Sequence, residues 1–79
     1  MKRVSENKSL LIKFGKQVKS LRQKNKLSQE ELAYKAGLHR TYIGMIERGE
    51  KNITLINIEK IANAFNISLY KLMEFSNGK

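Results

Sequence analysis

Residues 27–55 read LSQEELAYKAGLHRTYIGMIERGEKNITL, and the fold turns on how this stretch divides. Ser28 followed by Glu31 has the form of a capping box: the hydroxyl accepts from a free backbone N–H of the first helical turn, and the carboxylate reaches back to the cap. That spacing predicts a helix from Gln29 to about Ala36 that buries Leu32, Ala33 and Ala36. Gly37 stands where a helix closes through a left-handed residue, and Leu38 then pins the turn into the core. A second short helix follows over roughly Arg40 to Arg48, with Ile43 and Ile46 inward and Gly49 as its stop. Two short helices joined by a turn of a few residues are the smallest unit that seats a helix in the DNA major groove.

Working outward, Leu11, Phe14, Val18 and Leu21 recur at helical spacing, while Lys13, Lys16, Lys19 and Lys24 fall elsewhere on the wheel. A first helix is predicted from about Ser9 to Asn25, preceded by a flexible basic arm over residues 1–8 that lacks periodicity. Downstream, Thr54 caps a helix from Leu55 to about Phe65 whose buried face is Leu55, Ile58, Ile61, Ala62 and Phe65. Ser68 caps a last helix from Leu69 to about Phe75. No segment has a period of two, no internal repeat is visible, and there is no proline. The expected fold is all-α, with five helices.

Seventy-nine residues suffice for one small domain with a modest core, and leave little room for a deep catalytic cleft. The net charge of +9 is uneven: residues 1–26 carry +8, residues 27–52 carry 0 and residues 53–79 carry +1. A basic N-terminal third suits a polyanion, either nucleic acid or an anionic membrane, and is equally compatible with a solvated helix face. The absence of cysteine excludes disulfides and thiolate metal sites. His39 is the single histidine, and no carboxylate pair exceeds what helix caps explain, so no enzyme, metal or cofactor is expected. No apolar run approaches the roughly 20 residues of a membrane span. The start lacks the apolar core of a signal peptide, so a soluble intracellular protein is expected.

A helix lying in the groove needs short or fork-shaped donors on its first turn. Arg40 can pair bidentately with guanine O6 and N7, worth about 1–3 kcal/mol of discrimination per good contact. Thr41 offers a methyl to thymine, or a hydroxyl to a base or phosphate. Tyr42 reads either as a half-buried aromatic or as a contact with DNA. Gly44 costs about 1 kcal/mol within a helix relative to Ala. Its missing side chain either lets the helix approach the bases or marks a close helix–helix packing point. Met45 and Arg48 continue the exposed stripe. Gln29 opens the first helix of the pair, and Lys51, Asn52 and Thr54 lead into the following helix; together they can grip phosphates on both sides of a groove. Glu47 is an acid on a helix aimed at a polyanion, which makes sense if it turns inward to pair with Arg22.

On these residues the chain resembles the phage-repressor-like helix-turn-helix domains, the Cro and repressor group. The frame LSQEELA-x-x-AGL-x-x-x-x-I-x-x-IERG carries the likeness through the turn, and the helix count extends it over about Lys8 to Glu74. More narrowly, LAYKAGLHRTYIGMIERGEKNIT resembles the controller proteins of restriction–modification systems through an RTYI…IER core. The resemblance implies a lambda-repressor-like domain over residues 9–76, with the helix-turn-helix at 28–48 and a dimerisation region at about 56–76. It implies base contacts from Arg40, Thr41 and Tyr42; Gly44 and Met45, read from their positions on the helix, complete the expected base contacts. It implies a phosphate contact and a brace from Gln29, and a buried pair between Arg22 and Glu47. Members bind as two-fold dimers, for which Ile56, Ile67, Tyr70, Met73 and Phe75 are the candidate apolar residues here. One departure is His39, which replaces the usual small cap before the reading helix and can touch phosphate instead.

The expectation is therefore a cytoplasmic, nucleoid-associated bacterial regulator that binds double-stranded DNA as a homodimer on a palindromic operator, with half-sites roughly 34 Å apart. Repression by promoter blocking is expected, with activation through an RNA polymerase contact at Glu30. The rival readings are a phage or mobile-element repressor, an antitoxin with a protein partner, a small enzyme, and a membrane-surface binder. No membrane and no small-molecule substrate enter the favoured reading.

Overall fold

The computed structural model describes residues 4–75, with side chains from Lys8 onward. Five helices follow one another: α1 (Val4–Lys24), α2 (Gln29–Ala36), α3 (Arg40–Glu47), α4 (Leu55–Ala64) and α5 (Leu69–Leu72). Each of α2, α4 and α5 starts on the hydroxyl expected from sequence. Ser28 Oγ accepts from Glu31 N–H at 3.0 Å while Glu31 Oε1 accepts from Ser28 N–H at 2.7 Å. Thr54 Oγ1 accepts from Asn57 N–H at 3.1 Å, and Ser68 Oγ from Lys71 N–H at 3.0 Å.

The helix ends share one device. Lys26, Gly37, Gly49 and Asn66 all have φ between 57° and 73°. In each case the next residue's N–H returns to a carbonyl five positions back: Leu27 to Arg22, Leu38 to Ala33, Glu50 to Met45 and Ile67 to Ala62. This left-handed closure satisfies the last carbonyls and turns the chain sharply. At three of the four ends it also drops an apolar residue (Leu27, Leu38, Ile67) against the core.

That core is built from Phe14 and Val18 of α1, Leu32, Ala33 and Ala36 of α2, Ile43 and Ile46 of α3, Ile58, Ile61 and Ala62 of α4, and Phe65 and Leu72. Helix α3 packs against both α1 and α2, α4 packs on α2, and α5 on α4. The α1–α3 crossing is close because glycines lie at it. A Cβ on Gly15 would stand 2.8 Å from Glu47 O and closer still to Ile46 O; one on Gly49 would stand 2.8 Å from Ile12 Cγ1. From the same stretch of α1, Gln17 Nε2 donates to Leu72 O at 3.3 Å and to Glu74 O at 3.4 Å, and the Phe75 ring lies 6.4 Å from that of Phe14.

Three expectations need correcting. Helix α1 reaches back to Val4, into the stretch expected to be an arm, because extending an existing helix costs far less than nucleating one and nothing in that stretch stops it. Met1 to Arg3 lie outside the described residues. Helix α5 ends at Leu72 rather than near Phe75, since the chain leaves the helix to lay Phe75 on Phe14. Leu55, expected on the buried face of α4, is 70% exposed. It is the first residue of α4, and its place in the helical period does not bring it cover.

Candidate nucleic-acid interface

Helix α3 has two unlike faces. Ile43 and Ile46 are buried, and the Glu47 side chain is only 4% exposed. Arg40 and Thr41, on the first turn, are exposed to solvent, as are His39 and Arg48, while Tyr42 and Met45 are half-buried. The His39 side chain makes no capping bond. The N–H groups that open α3 are therefore not capped by the His39 side chain.

The inward face is locked by charge. Arg22 Nε and Nη2 donate to Glu47 Oε2 and Oε1 at 2.6 and 3.0 Å. Arg22 Nη1 donates to Leu27 O at 2.8 Å, and Gln29 Nε2 donates to Glu47 Oε1 at 3.0 Å. The hydrogen bond from Glu47 raises the Arg22 pKa further above its ordinary value, outweighing the opposing effect of burial. One carboxylate thus ties the end of α1, the start of α2 and the end of α3 into one unit, as the pairing of Arg22 with Glu47 anticipated. Gln29 has a second amide hydrogen left to offer outward.

Gly44, read from the sequence either as an approach to the bases or as a helix–helix packing point, has two polar side chains beside it. It is buried, and a Cβ there would meet Arg48 Nη1 at 3.3 Å and Gln29 Oε1 at 3.7 Å. The space freed by the missing side chain is taken by these two polar side chains, so a base approaches Gly44 only if they move aside. Arg48 Nε donates to Glu50 Oε2 at 2.9 Å on the surface. That bond holds the Glu50 carboxyl below its ordinary value and raises Arg48.

Beyond the turn, Lys51, Asn52 and Thr54 are exposed in the loop between α3 and α4. Lys51 Nζ sits 5.7 Å from the Tyr42 ring centroid, and Tyr42 Oη accepts from Asn57 Nδ2 at 3.1 Å. Of the side chains expected to touch DNA, Gln29 and Arg48 both reach the space beside Gly44, and Lys51 stands over Tyr42. Sequence reasoning passed over two residues in this group. Glu50 engages Arg48, and its acidic charge next to a basic residue was the available signal. Asn57 holds Tyr42 from the third turn position of α4, where a capping-box Glu or Gln would normally sit; its departure from that pattern was the signal.

Among the candidate dimer residues, Ile56, Tyr70 and Met73 are 68%, 88% and 40% exposed. Ile67 and Phe75 are half-buried against the core, so the chain's own packing takes much of the surface they were expected to offer. Leu55 joins the exposed set beside Ile56. Among the described residues there is no group of three or more His, Cys, Asp or Glu able to hold a metal ion, and no helix is long and apolar enough to cross a membrane.

The helix-turn-helix family pattern matches residues 18–72, from the middle of α1 to the end of α5. The control protein C.BamHI of Bacillus amyloliquefaciens is 47% identical over 64 residues, covering 80% of this chain and 79% of that protein. The crystal structure of the restriction–modification controller protein C.AhdI from Aeromonas hydrophila superposes with a TM-score of 0.77 at 47% identity, covering 78% of this chain and 94% of that one. The controller protein C.Esp1396I, bound to a 25-base-pair operator site, gives a TM-score of 0.73 at 36% identity, covering 81% and 88%. By its fold and by these similarities, the chain belongs to the helix-turn-helix family and, within it, to the controller proteins of restriction–modification systems.

Proposed function

We propose that this chain is a sequence-specific transcriptional regulator that binds a palindromic operator as a homodimer and controls a restriction–modification system. The carrying observation is the division of α3: an exposed first turn with Arg40 and Thr41, on a helix whose other face is fixed by Glu47 to both α1 and α2. A reader must be held still to discriminate, because a hydrogen bond to the wrong base edge is lost only if the donor cannot follow it. Arg40, Thr41 and Tyr42 read bases, while Gln29, His39, Arg48, Lys51, Asn52 and Thr54 meet phosphates. The dimer forms through Leu55, Ile56, Tyr70 and Met73. The chain works by binding, without catalysis, in the bacterial cytoplasm at the nucleoid. Glu30, exposed on α2 near the groove, is the proposed contact for RNA polymerase when the bound dimer activates.

The test is selection of bound duplexes from a random pool, repeated at two salt concentrations, with sedimentation to follow assembly. The expected result is a two-fold symmetric motif that survives the higher salt. Ile56→Asp should give a monomer that binds a single half-site weakly. If no motif emerges and affinity follows salt alone, sequence-specific regulation is wrong and only general charge binding remains.

A further inference from the structure

We propose that Asn57, on α4, is a positioning residue for DNA reading: it fixes the Tyr42 side chain and directs the phenolic hydrogen outward, so that Tyr42 meets DNA as a hydrogen-bond donor. The inference rests on the reading that places Tyr42 on the DNA. A tyrosine hydroxyl has one hydrogen to give and two lone pairs to accept with. Here Asn57 Nδ2 donates to Tyr42 Oη at 3.1 Å, which occupies one lone pair and turns the O–H away from α4. Asn57 is itself held, since its backbone N–H is capped by Thr54 Oγ1 at 3.1 Å. The ring is restrained on two further sides: it packs against the core, and Lys51 Nζ stands 5.7 Å from its centroid. The hydroxyl hydrogen is left to the side of the oxygen away from Asn57. The acceptors that DNA presents there are phosphate oxygens, purine N7, guanine O6 and thymine O4. Adenine N6 and cytosine N4 amines, which only donate, are disfavoured partners.

Two substitutions separate positioning from plain structural support. Asn57→Ala removes the donor. Asn57→Asp keeps the shape but can only accept, so it captures the phenolic hydrogen and presents DNA with an oxygen that has nothing to donate. An acid in the first turn of α4 also favours the helix dipole, so this variant keeps or raises thermal stability. Affinity is measured for the duplex enriched by the random selection, in wild-type and Tyr42→Phe backgrounds. Tyr42→Phe is expected to weaken binding about five-fold, and Asn57→Ala about three-fold. In the Tyr42→Phe background, Asn57→Ala should have almost no further effect. Asn57→Asp should lose more than Asn57→Ala in the wild-type background, and in the Tyr42→Phe background only what its added charge costs.

If Asn57→Ala weakens binding equally in both backgrounds, or not at all while Tyr42→Phe does, the positioning role is overturned and the DNA reading stands. If Tyr42→Phe leaves binding unchanged, the placement of Tyr42 on DNA fails and the inference fails with it. If the wild-type chain enriches no duplex, both the proposed function and this inference fall.

Discussion

Adding a single methyl group at either of two glycines should change stability in opposite directions, because one glycine faces backbone and the other faces side-chain tips. Gly15 lies in the middle of α1, where replacing Gly with Ala in an open helix would gain about 1 kcal/mol. In this fold the new Cβ would stand 2.8 Å from Glu47 O, with Ile46 O nearer still, whereas ordinary contact begins at 3.4 Å. Relieving the Glu47 contact alone requires α1 and α3 to part by about 0.6 Å, the difference of those two distances. Neither carbonyl is at the end of a flexible side chain. Both sit in the last turn of α3, whose Glu47 is tied to Arg22 and Gln29. Overpacking of this kind costs about 1–3 kcal/mol and sometimes more. With backbone as the obstacle we take the upper part of that range, which leaves a net loss of about 2 kcal/mol for Gly15→Ala. Gly44 meets only Arg48 Nη1 and Gln29 Oε1, at 3.3 and 3.7 Å, and both can shift by rotation. Gly44→Ala should therefore keep most of the propensity gain and stabilise by about 0.5–1 kcal/mol. Urea unfolding followed by circular dichroism measures both, at one fixed chain concentration because association shifts the apparent midpoint. For a domain of this size the thermal midpoint should fall by about 8–16 °C for Gly15→Ala and rise by about 4 °C for Gly44→Ala. A Gly15→Ala variant as stable as the Gly44→Ala variant would refute the close α1–α3 crossing.

The other perturbations test separate parts of the molecule. Glu47→Ala should cost about 3 kcal/mol, because it strands Arg22 at 12% side-chain exposure and frees Gln29; replacing both partners by Met should cost less than the two single changes together, which a double-mutant cycle in urea would reveal. His39→Ser supplies the missing cap of α3 and should stabilise the fold by about 1 kcal/mol. If DNA affinity is unchanged in that variant, His39 does not meet phosphate. Glu50→Gln should tighten operator binding by releasing Arg48, with the gain shrinking as salt rises. Because Arg48 holds the Glu50 carboxyl below its ordinary value of 4.5, the pair's contribution is present above that pH and lost only as the pH falls through the lowered value. At neutral pH the competition from Glu50 is therefore complete, and an affinity gain from Glu50→Gln that appears only under acid conditions would contradict the pairing.

The sequence made α2 and the start of α3 legible nearly to the residue because their signals are local: Ser28 with Glu31 at one end, Gly37 and Leu38 at the other. The Arg22–Glu47 pair was legible for a different reason, since an acid on a helix facing a polyanion demands a partner. What could not be read depends on contacts distant along the chain. Gly15 looks like a weak point of α1 until α3 is laid across it. Leu55 matches the period of α4, but burial depends on what covers the residue, and Leu55 is left 70% exposed. The shortening of α5 follows from Phe75 meeting Phe14, sixty-one positions earlier. Gln29 and Arg48, which fill the space beside Gly44, could be located only in three dimensions.

The two faces of α3 also bear on how such a protein changes over time. Ile43, Ile46 and Glu47 carry the packing, whereas Arg40, Thr41 and His39 project into solvent from the same eight-residue helix or its cap. Substitutions at exposed positions away from caps and buried partners usually alter stability by no more than about 0.5 kcal/mol. Arg40 and Thr41 can therefore be exchanged without endangering the fold, and a descendant can acquire a new operator through one or two substitutions while inheriting the scaffold intact. Tyr42 is the exception, because its ties to Asn57 and Lys51 make any change there a change to α4 and the loop before it.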